Sequence, residues 1–331
     1  MSVTIQEVAK KAGVSIATVS RIINKLPGYS EKTQVHVEKV IEELGYSPNA
    51  MARSLANNRT DVIGVLLPCV TSRFSNELLH GIERIAQSKG KSVIVCNTDR
   101  HGERTMEYLK TLREQRVDGI LYISEWLTDE YGSFLKDMGI PVVLVATHRD
   151  SFPFSYVKID DKAAAETATK YLIDKGHTKI GLITGTPDDL IAGKPRIEGY
   201  QKALFESGIP QDPTLIAYGD FHYFSGIAAM EELYKAHPDI TAVFATSDEM
   251  ALGALTWMHK NGIQVPEQIS IIGYDDTLDA QIAYPALTTI HQGIEELGTV
   301  SMKLLSENQR EQQIILPHSV KERDSVRDRS E

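Results

Sequence analysis

The chain has 331 residues, of which 42% are hydrophobic and 24% are charged. At about 150 residues per domain, this length predicts roughly two domains with room for a small extra module, and the composition excludes a wholly disordered chain. No apolar run approaches the ~18 residues that span a bilayer, and the N-terminus lacks the apolar core of a signal peptide. The two cysteines, Cys69 and Cys96, form no metal-binding pattern, so we expect a cytoplasmic protein without a disulfide framework, a metal or another cofactor.

The net charge of −10 is unevenly distributed along the chain. Residues 1–60 carry eight lysines and arginines against five acidic residues, a local balance of +3 that leaves −13 for the rest. A small basic head on an acidic body indicates that only the head contacts a polyanion.

The basic head is predicted to form three short helices. A T-x-x-E capping box at Thr4 opens the first helix, and Gly13 provides its left-handed end. Ser15 caps the second helix, and Ser30 caps a third that runs to about residue 44. Two short helices joined by a turn with glycine are typical of a helix-turn-helix, for which the third helix completes the core.

The second helix of a helix-turn-helix enters the major groove and presents its first residues to base edges. Those residues are Ser15, Ile16, Ala17 and Thr18, followed one turn later by Ser20 and Arg21. Ile16 and Ala17 read only thymine methyl groups, whereas Arg21 can bind guanine or a phosphate. The alternative is a small helical cap whose serines and threonines merely begin helices, and periodicity by itself does not decide between them.

The literal sequence of the head resembles the DNA-binding headpiece of the LacI/GalR family of bacterial repressors. The strings AGVS, TVSR and IN, then GYSPN and ARSL, stand in the order of that family. The resemblance implies double-stranded operator DNA as a partner, a headpiece over residues 1–48, and a hinge helix and linker over residues 49–60. It further places Thr4, Asn24, Tyr46, Asn49 and Ala52 among the DNA contacts.

The family resemblance also implies that residues 49–57 fold into a helix only on DNA. A leucine from each subunit then inserts into the minor groove, and Leu55 occupies that position. Residues 50–56 are good helix formers after Pro48, but nine residues are too few for a stable isolated helix. DNA binding can therefore easily switch this connector between a disordered and a helical state. Ordinary packing against the body is an alternative role for Leu55.

From Asp61 onward, apolar runs typical of strands alternate with helical stretches. The runs cover residues 62–68, 91–97, 118–124, 141–146, 178–185, 242–246 and 268–276. Such runs separated by helices predict parallel sheets covered on both faces, and the break near residues 156–161 predicts two lobes with a ligand cleft between them. The phosphate-loop, GxSxG and HExxH motifs are absent from the sequence, so we expect no enzyme.

The family resemblance continues through the body, which is also similar to periplasmic sugar-binding proteins. It rests on GHTKIGLITG, SDEMALGAL, ISIIGYDDT and YPALTTIHQ. It implies an α/β two-lobed core with doubly wound parallel sheets, behind the three-helix headpiece and hinge helix. The N-terminal lobe comprises residues 61–160 plus 292–320 and the C-terminal lobe residues 161–291, and residues 321–331 form a charged mobile tail.

The resemblance also assigns the residues that bind a small effector. Arg196 matches an arginine that binds the effector through paired hydrogen bonds, and Asp275 matches an aspartate that accepts hydroxyl hydrogens. The remaining positions are two aromatic ones, Phe74 and Phe221, and two polar ones, Ser247 and Asp248. Each has an ordinary alternative: a solvated ion pair for Arg196, a cap or turn for Asp275, and core packing for the phenylalanines.

The sequence thus predicts a homodimeric transcription repressor of carbohydrate-utilisation genes, with no membrane partner. A small sugar or sugar phosphate between the lobes releases it from its operator. One alternative is a catabolite-control-like regulator whose signal is a phosphorylated carrier protein docking near Glu295–Leu305, where Lys303 pairs with the phosphate. A more distant alternative is a solute-binding module for transport, against which the headpiece argues.

Overall fold

The computed structural model describes residues 3–46, 59–99, 102–307 and 311–330. By its internal contacts the chain divides into two compact units, residues 1–60 and residues 61–331. Most of the predicted hinge segment, including Asn49, Ala52 and Leu55, lies outside the described residues.

Three helices build the first unit. They are α1 (Ile5–Ala12), α2 (Ile16–Ile23) and α3 (Glu31–Leu44). Each begins at its predicted cap residue, whose side-chain oxygen accepts a hydrogen bond from the backbone three residues on, and α1 and α3 end at the left-handed Gly13 and Gly45. Their apolar faces meet in a small core around Val8, Val19 and Val37. The predicted helix-turn-helix with a supporting third helix is confirmed.

The N-terminal lobe of the second unit is built on a six-stranded parallel sheet. Its strands are β1 (Val62–Leu67), β2 (Ser92–Asn97), β3 (Gly119–Ile123), β4 (Val142–Val145), β5 (Ser155–Ile159) and β11 (Gln313–Leu316). They lie in the order β11-β5-β4-β3-β1-β2. Strands β1, β3 and β4 are buried and consist mostly of valine, isoleucine and leucine, as expected for strands covered on both faces. The edge strand β2 is largely exposed. The helices are α4 (Arg73–Ser88), α5 (Thr105–Glu114), α6 (Asp129–Asp137) and, from later in the chain, α12 (Ile294–Ser306).

The C-terminal lobe contains the second six-stranded sheet. Its strands are β6 (Ile180–Thr184), β7 (Ile216–Tyr218), β8 (Ala242–Ala245), β9 (Ser270–Asp275), β10 (Thr288–His291) and β12 (Ser319–Lys321), in the order β12-β10-β9-β8-β6-β7. The pairs are parallel except for β12 on β10. The helices are α7 (Asp161–Asp174), α8 (Gly193–Glu206), α9 (Tyr223–Ala236), α10 (Asp248–Lys260) and α11 (Leu278–Ile282), with a 3₁₀ turn at Pro213–Leu215. The predicted two-lobed α/β fold is confirmed.

The crossings between the lobes determine where a ligand site lies. The chain passes from the carboxyl end of β5 directly into α7, and from the carboxyl end of β10 into α12. The carboxyl ends of the parallel strands of both sheets therefore face the same cleft, which is where open α/β sheets bind ligands.

Glycines allow α4 and α12 to pack closely against each other. A Cβ at Gly81 would lie 2.2 Å from the backbone oxygen of Glu295, and one at Gly298 would lie 2.2 Å from that of Leu78. The two helices therefore touch through their backbones, which fixes the second crossing of the chain firmly to the N-terminal lobe.

The prediction that residues 321–331 form a mobile tail is wrong. Strand β12 pairs with β10 in the second sheet, so the N-terminal lobe ends before Ser319 instead of at residue 320. Beyond it, Ser325 is fully buried, and its hydroxyl donates to the carbonyl of Ile271 at 2.6 Å. The charged composition misled the prediction because the arginines of this segment face solvent or acidic partners while its backbone and serine complete the lobe.

Candidate functional site

The exposed face of α2 carries the residues predicted to read DNA bases. Ile16 is 47% exposed, and Ala17 and Arg21 are exposed beside it. On the opposite face Val19 and Ile22 are buried in the headpiece core. The helix therefore combines one face that holds it in place with another that is free to meet thymine methyl groups and a guanine or phosphate.

Four further predicted DNA contacts on α2 make local hydrogen bonds. Ser15 Oγ accepts from the backbone of Thr18 at 3.1 Å and also bonds its hydroxyl at 2.9 Å. The side-chain amide of Asn24 donates to the carbonyl of Ser20 at 2.8 Å. These bonds stiffen both ends of the recognition helix, and a direct contact of these residues with DNA stays a prediction.

The remaining predicted DNA contacts lie outside α2. Thr4 forms the capping box of α1, and Tyr46 packs partly buried against the headpiece core. Asn49, Ala52 and Leu55 fall outside the described residues. The DNA-dependent hinge helix and the leucine wedge therefore stay predictions.

Arg196 is buried in the first turn of α8 at the cleft, with 8% of its surface exposed. Its Nε and Nη2 donate to one oxygen of Asp161 at 3.1 and 2.9 Å, and its Nη1 donates to the carbonyl of Thr246 at 2.6 Å. The guanidinium carbon lies 3.8 Å from the ring centre of Tyr274 and 5.8 Å from that of Phe221. The arginine is thus held rigidly between a carboxylate and an aromatic ring, and it is not part of a solvated ion pair.

Asp275 ends β9 at the same side of the cleft, with 8% of its surface exposed. Its carboxylate accepts a hydrogen bond from the side-chain amide of Gln292. Burial raises the pKa of Asp275 well above its usual range, and the nearby Asp248 raises it further while Arg196 lowers it. Burial likewise raises the pKa of Asp248 to about 7. An added negative charge is therefore disfavoured here, whereas an uncharged hydroxyl group can hydrogen-bond to a carboxyl group in either protonation state.

Ser247 and Asp248 are engaged in the framework of the C-terminal lobe. Ser247 Oγ accepts from the first turn of α10 and donates to the carbonyl of Phe221 at 2.9 Å. Asp248 accepts from the backbone and hydroxyl of Thr277 at 2.8 and 3.0 Å, and from the hydroxyl of Thr289 at 2.6 Å. These bonds position the loops around the site, and a direct contact of either residue with an effector stays a prediction.

The two predicted aromatic positions belong to opposite lobes. Phe221 has a left-handed backbone with φ +66°, which costs about 1–3 kcal/mol at a non-glycine residue. Its ring lies over Gly185, where a Cβ would come within 2.3 Å of it. Phe74 lies in the first turn of α4, partly buried against the core of its lobe. This conformation places the ring of Phe221 over Gly185 and 5.8 Å from the guanidinium carbon of Arg196.

Three residues of this cluster were missed from the sequence: Asp161, Tyr274 and Gln292. The carboxylate of Asp161 accepts from the hydroxyl of Tyr274 at 3.2 Å in addition to Arg196. Asp161 follows the helix cap Asp160 directly, and two acidic residues at a helix start are fully explained by capping and the helix dipole. Asp161 could have been identified from the sequence by its position at the crossing into the C-terminal lobe.

Hydrogen bonds cross the cleft beside the cluster. Arg73 Nε donates to Asp279 at 2.6 Å, and the backbone N–H of Arg73 donates to Glu249 at 3.0 Å. Glu77 accepts from the backbone of Leu278 at 3.2 Å. Because Arg73 and Glu77 begin α4 and their partners belong to the C-terminal lobe, these bonds favour one relative arrangement of the lobes.

Two cavities open between the lobes. The first has a volume of about 430 Å³ and contains Asp275 together with Asp276 and His291. The second has a volume of about 470 Å³ and lies between Trp126 and Lys194. Both volumes fall in the range of small-molecule sites.

Neither a membrane span nor a metal-binding cluster occurs in residues 3–46, 59–99, 102–307 and 311–330. No helix there is both long and apolar enough to cross a bilayer, and no three histidine, cysteine or acidic side chains come together as metal ligands. Cys69 and Cys96 are free thiols.

A helix-turn-helix unit joined to a two-lobed sheet unit with a polar cleft defines a ligand-responsive DNA-binding protein. The family model described as "Bacterial regulatory proteins, lacI family" matches residues 4–49. The model described as "Periplasmic binding proteins and sugar binding domain of LacI family" matches residues 60–324. The chain belongs to the LacI family, whose members are transcription regulators and not enzymes.

Individual relatives match along nearly the whole length. Catabolite control protein A of Priestia megaterium is 37% identical over 332 residues, covering 99% of this chain and all of that protein. A complex of the transcriptional regulator CelR with cellobiose is 34% identical at a TM-score of 0.74, covering 98% and 99% of the two chains. The Lac repressor dimer bound to operator and the anti-inducer ONPF is 30% identical at a TM-score of 0.88, covering 99% and 100%.

Proposed function

We propose that the chain is a homodimeric repressor of carbohydrate-utilisation genes, released from its operator by a small sugar bound between the two lobes. The observation that carries this proposal is the buried cluster of Arg196 with Asp161, Tyr274 and Asp275 at the cleft. A fixed guanidinium donates to sugar oxygens, carboxylates accept from hydroxyls, and the rings suit the C–H face of a pyranose. We infer that the protein acts in the cytoplasm, where its operator is.

The mechanism couples cleft geometry to the headpiece through the connector. A sugar that binds one arrangement of the lobes better than the other shifts their equilibrium by that difference in affinity. The bonds of Arg73 and Glu77 across the cleft belong to one such arrangement. Moving the lobes separates the paired connectors, the hinge helices lose their order, and the Leu55 wedges withdraw. Operator DNA must in turn weaken sugar binding by the same factor.

An operator-binding assay tests this function. A labelled palindromic duplex, recovered by selection from random DNA, is titrated with the full chain and followed by fluorescence anisotropy. We expect binding that falls steeply with salt, and a loss of about 10–100-fold in Arg21→Ala with reduced preference over a scrambled duplex. A sugar from a panel of mono- and disaccharides should weaken operator binding by roughly 5–150-fold. Equal affinity for operator and scrambled DNA would refute the DNA-binding role, and insensitivity to every sugar would refute the sugar response.

A homodimer is supported by apolar side chains left uncovered on the second unit. Phe224 is 81% exposed, Ile282 is 70% exposed and Tyr284 is fully exposed, while Ile94 and Val95 are exposed on the edge strand β2. Exposed aromatic surface and an unpaired strand edge are both features that a protein partner covers. A second copy of the chain suits this role, because two headpieces must read the two halves of a palindrome.

The double substitution Ile282→Asp and Tyr284→Asp should separate the subunits. Burying two carboxylates in an apolar interface is costly, so we expect the dimer dissociation constant to rise at least about 100-fold. Analytical ultracentrifugation across a dilution series measures this change. Phe205→Asp, at a side chain that is 77% exposed on α8, is the matched control and should leave the dimer intact. An unchanged dimer dissociation constant in the double variant would exclude the surface around Ile282 and Tyr284 as the dimer interface.

A second candidate function is favoured by the full-length similarity to catabolite control protein A. In that case a phosphorylated carrier protein docks on α12, where Lys303 is exposed while most of the helix is buried against its lobe. The operator assay distinguishes the two candidate functions. Under this alternative the phosphorylated carrier protein changes the affinity for the operator, and under the leading proposal only the sugar changes it.

A further inference from the structure

An outer cavity of about 470 Å³ lies in the cleft apart from the Arg196 cluster. The N-terminal lobe contributes Trp126 and residues 148–151, and the C-terminal lobe contributes Leu190 and Lys194. None of the six predicted effector residues lines it. A single small ring at the Arg196 cluster would therefore leave this space unused.

The outer cavity and the Arg196 cluster share the start of α8. Lys194 and Glu198 are four residues apart and line the cavity together on one helix face. Arg196, between them in sequence, turns inward to Asp161. On the other side His148 lines the cavity, and burial lowers the pKa of its imidazole. One elongated ligand can therefore contact both sites.

Trp126 provides a fixed apolar surface in the outer cavity. Its side chain is 38% exposed, and the guanidinium carbon of Arg149 lies 4.8 Å from the ring centre. Arg149 is itself held by Asp129 at 2.6 Å and by Ser151 at 2.9 Å, so the ring is supported before any ligand arrives. Leu190, 43% exposed, adds apolar surface from the opposite lobe. Such a preformed surface costs a ligand little ordering entropy.

The charges of the outer cavity are balanced. Arg149 is paired with Asp129, and Glu198 is paired with Lys162 at 3.0 Å. Lys194 and Asp150 make no ion pair with any residue in the described ranges. They supply one donor group and one acceptor group beside the tryptophan. An uncharged ring with an apolar face and several hydroxyls matches this combination better than a phosphate or an ion does.

We propose that the effector is an uncharged disaccharide, with one ring at the Arg196 cluster and the second ring on Trp126 in the outer cavity. This inference rests on the proposed sugar response and adds the size and charge of the sugar. The outer ring binds across the two lobes, so it also strengthens the link between sugar binding and lobe arrangement.

Isothermal titration of the full chain with matched sugars tests the proposal. The probes are glucose against maltose and cellobiose, and galactose against lactose and melibiose. We expect one disaccharide to bind at least about tenfold more tightly than its own monosaccharides. In Trp126→Ala and in Lys194→Ala, the affinity for that disaccharide should fall to the affinity for its monosaccharide. The affinity for the monosaccharide itself should not change. Trp126→Phe should retain most of the gain, and Phe205→Ala, at the far end of α8, should have no effect.

The outcomes separate this inference from the function on which it rests. Monosaccharides that bind as tightly as disaccharides, or Trp126→Ala with unchanged disaccharide affinity, would overturn the outer subsite and leave the sugar response standing. A chain that binds none of these sugars would overturn both. If Trp126→Ala lowers the thermal midpoint of unfolding, the surface variant Lys194→Ala still tests the outer subsite. A loss of disaccharide affinity with unchanged monosaccharide affinity in that variant supports the subsite, and an unchanged disaccharide affinity overturns it.

Discussion

A chain that ends at Lys321 is expected to lose the cooperative fold of its C-terminal lobe. The last residues bond to two strands of the second sheet: the carbonyl of Ser325 accepts from Ile271 at 2.8 Å, and its hydroxyl accepts from the backbone of Thr288 at 2.8 Å. Arg323 bonds the carbonyl of Leu287 at 2.7 Å. Truncation leaves several such buried groups unpaired at about 1–3 kcal/mol each, a large part of the ~5–15 kcal/mol that holds a domain folded.

The truncation is measured by thermal unfolding and by hydrogen exchange of the second sheet. We expect the body to unfold at a much lower temperature, while the headpiece, a separate compact unit, keeps its helices. Ser325→Ala should cost about 2 kcal/mol or more, whereas the matched control Ser330→Ala should cost less than about 0.5 kcal/mol, because Ser330 and its hydrogen-bond partner Asp328 are both exposed. A truncated chain with wild-type unfolding temperature would show that the segment is dispensable.

The headpiece was the part of the fold best predicted from sequence, and local chemistry explains why. Each helix start and end is encoded within four residues, as in the Thr4 capping box and the left-handed Gly13. The buried strands β1, β3 and β8 were equally clear, because a run of branched apolar residues has few other uses. Here the information is local, so the sequence suffices.

Edge and late elements were missed because their identity depends on distant partners. Strand β5 has the alternating pattern SYVKI and was interpreted as a break, and β7 and β12 have three residues each. Helix α12 was seen only as a possible docking segment, although Gly298 marks its close packing on α4. What makes these segments ordered is a partner elsewhere in the chain: β11 lies beside β5 more than a hundred residues later, and β6 and β10 pair with β7 and β12.

The candidate site shows the same division. The family resemblance supplied Arg196 and Asp275, but not that a buried carboxylate, Asp161, would hold the arginine in place. Nor did the sequence indicate that Asp248 is consumed by three hydrogen bonds to Thr277 and Thr289. A residue type can be carried over position by position, whereas the partner of a buried charge follows only from the packed structure.

Arg196→Ala is expected to abolish the sugar response and, by itself, to destabilise the body. Removing the guanidinium leaves the carboxylate of Asp161 buried without its main partner, since Arg196 makes two of its hydrogen bonds. Breaking a buried ion pair in this way costs about 3–5 kcal/mol. A loss of function in the single variant therefore does not distinguish binding from stability.

The double variant Asp161→Asn with Arg196→Ala separates these effects. Asparagine carries no charge and can still accept from the hydroxyl of Tyr274, so we expect the unfolding free energy to recover by a few kcal/mol relative to Arg196→Ala. Operator affinity should then be close to wild type, while sugar no longer weakens it. Lys202→Ala is the control: Lys202 lies on the same helix as Arg196, its exposed pair is with Glu166 of α7, and its loss should change stability by less than about 1 kcal/mol.

The recovered double variant therefore gives the decisive comparison. If it is stable, binds operator and still responds to sugar, Arg196 is a structural residue and the effector binds elsewhere in the cleft. If it is stable, binds operator and ignores sugar, the guanidinium itself is the group that the sugar engages. Because Asp161 lies at the crossing from β5 into α7, a sugar that draws Arg196 away from it also perturbs the joint between the lobes. The ion pair of Arg196 with Asp161 would then transmit sugar binding to the joint between the lobes.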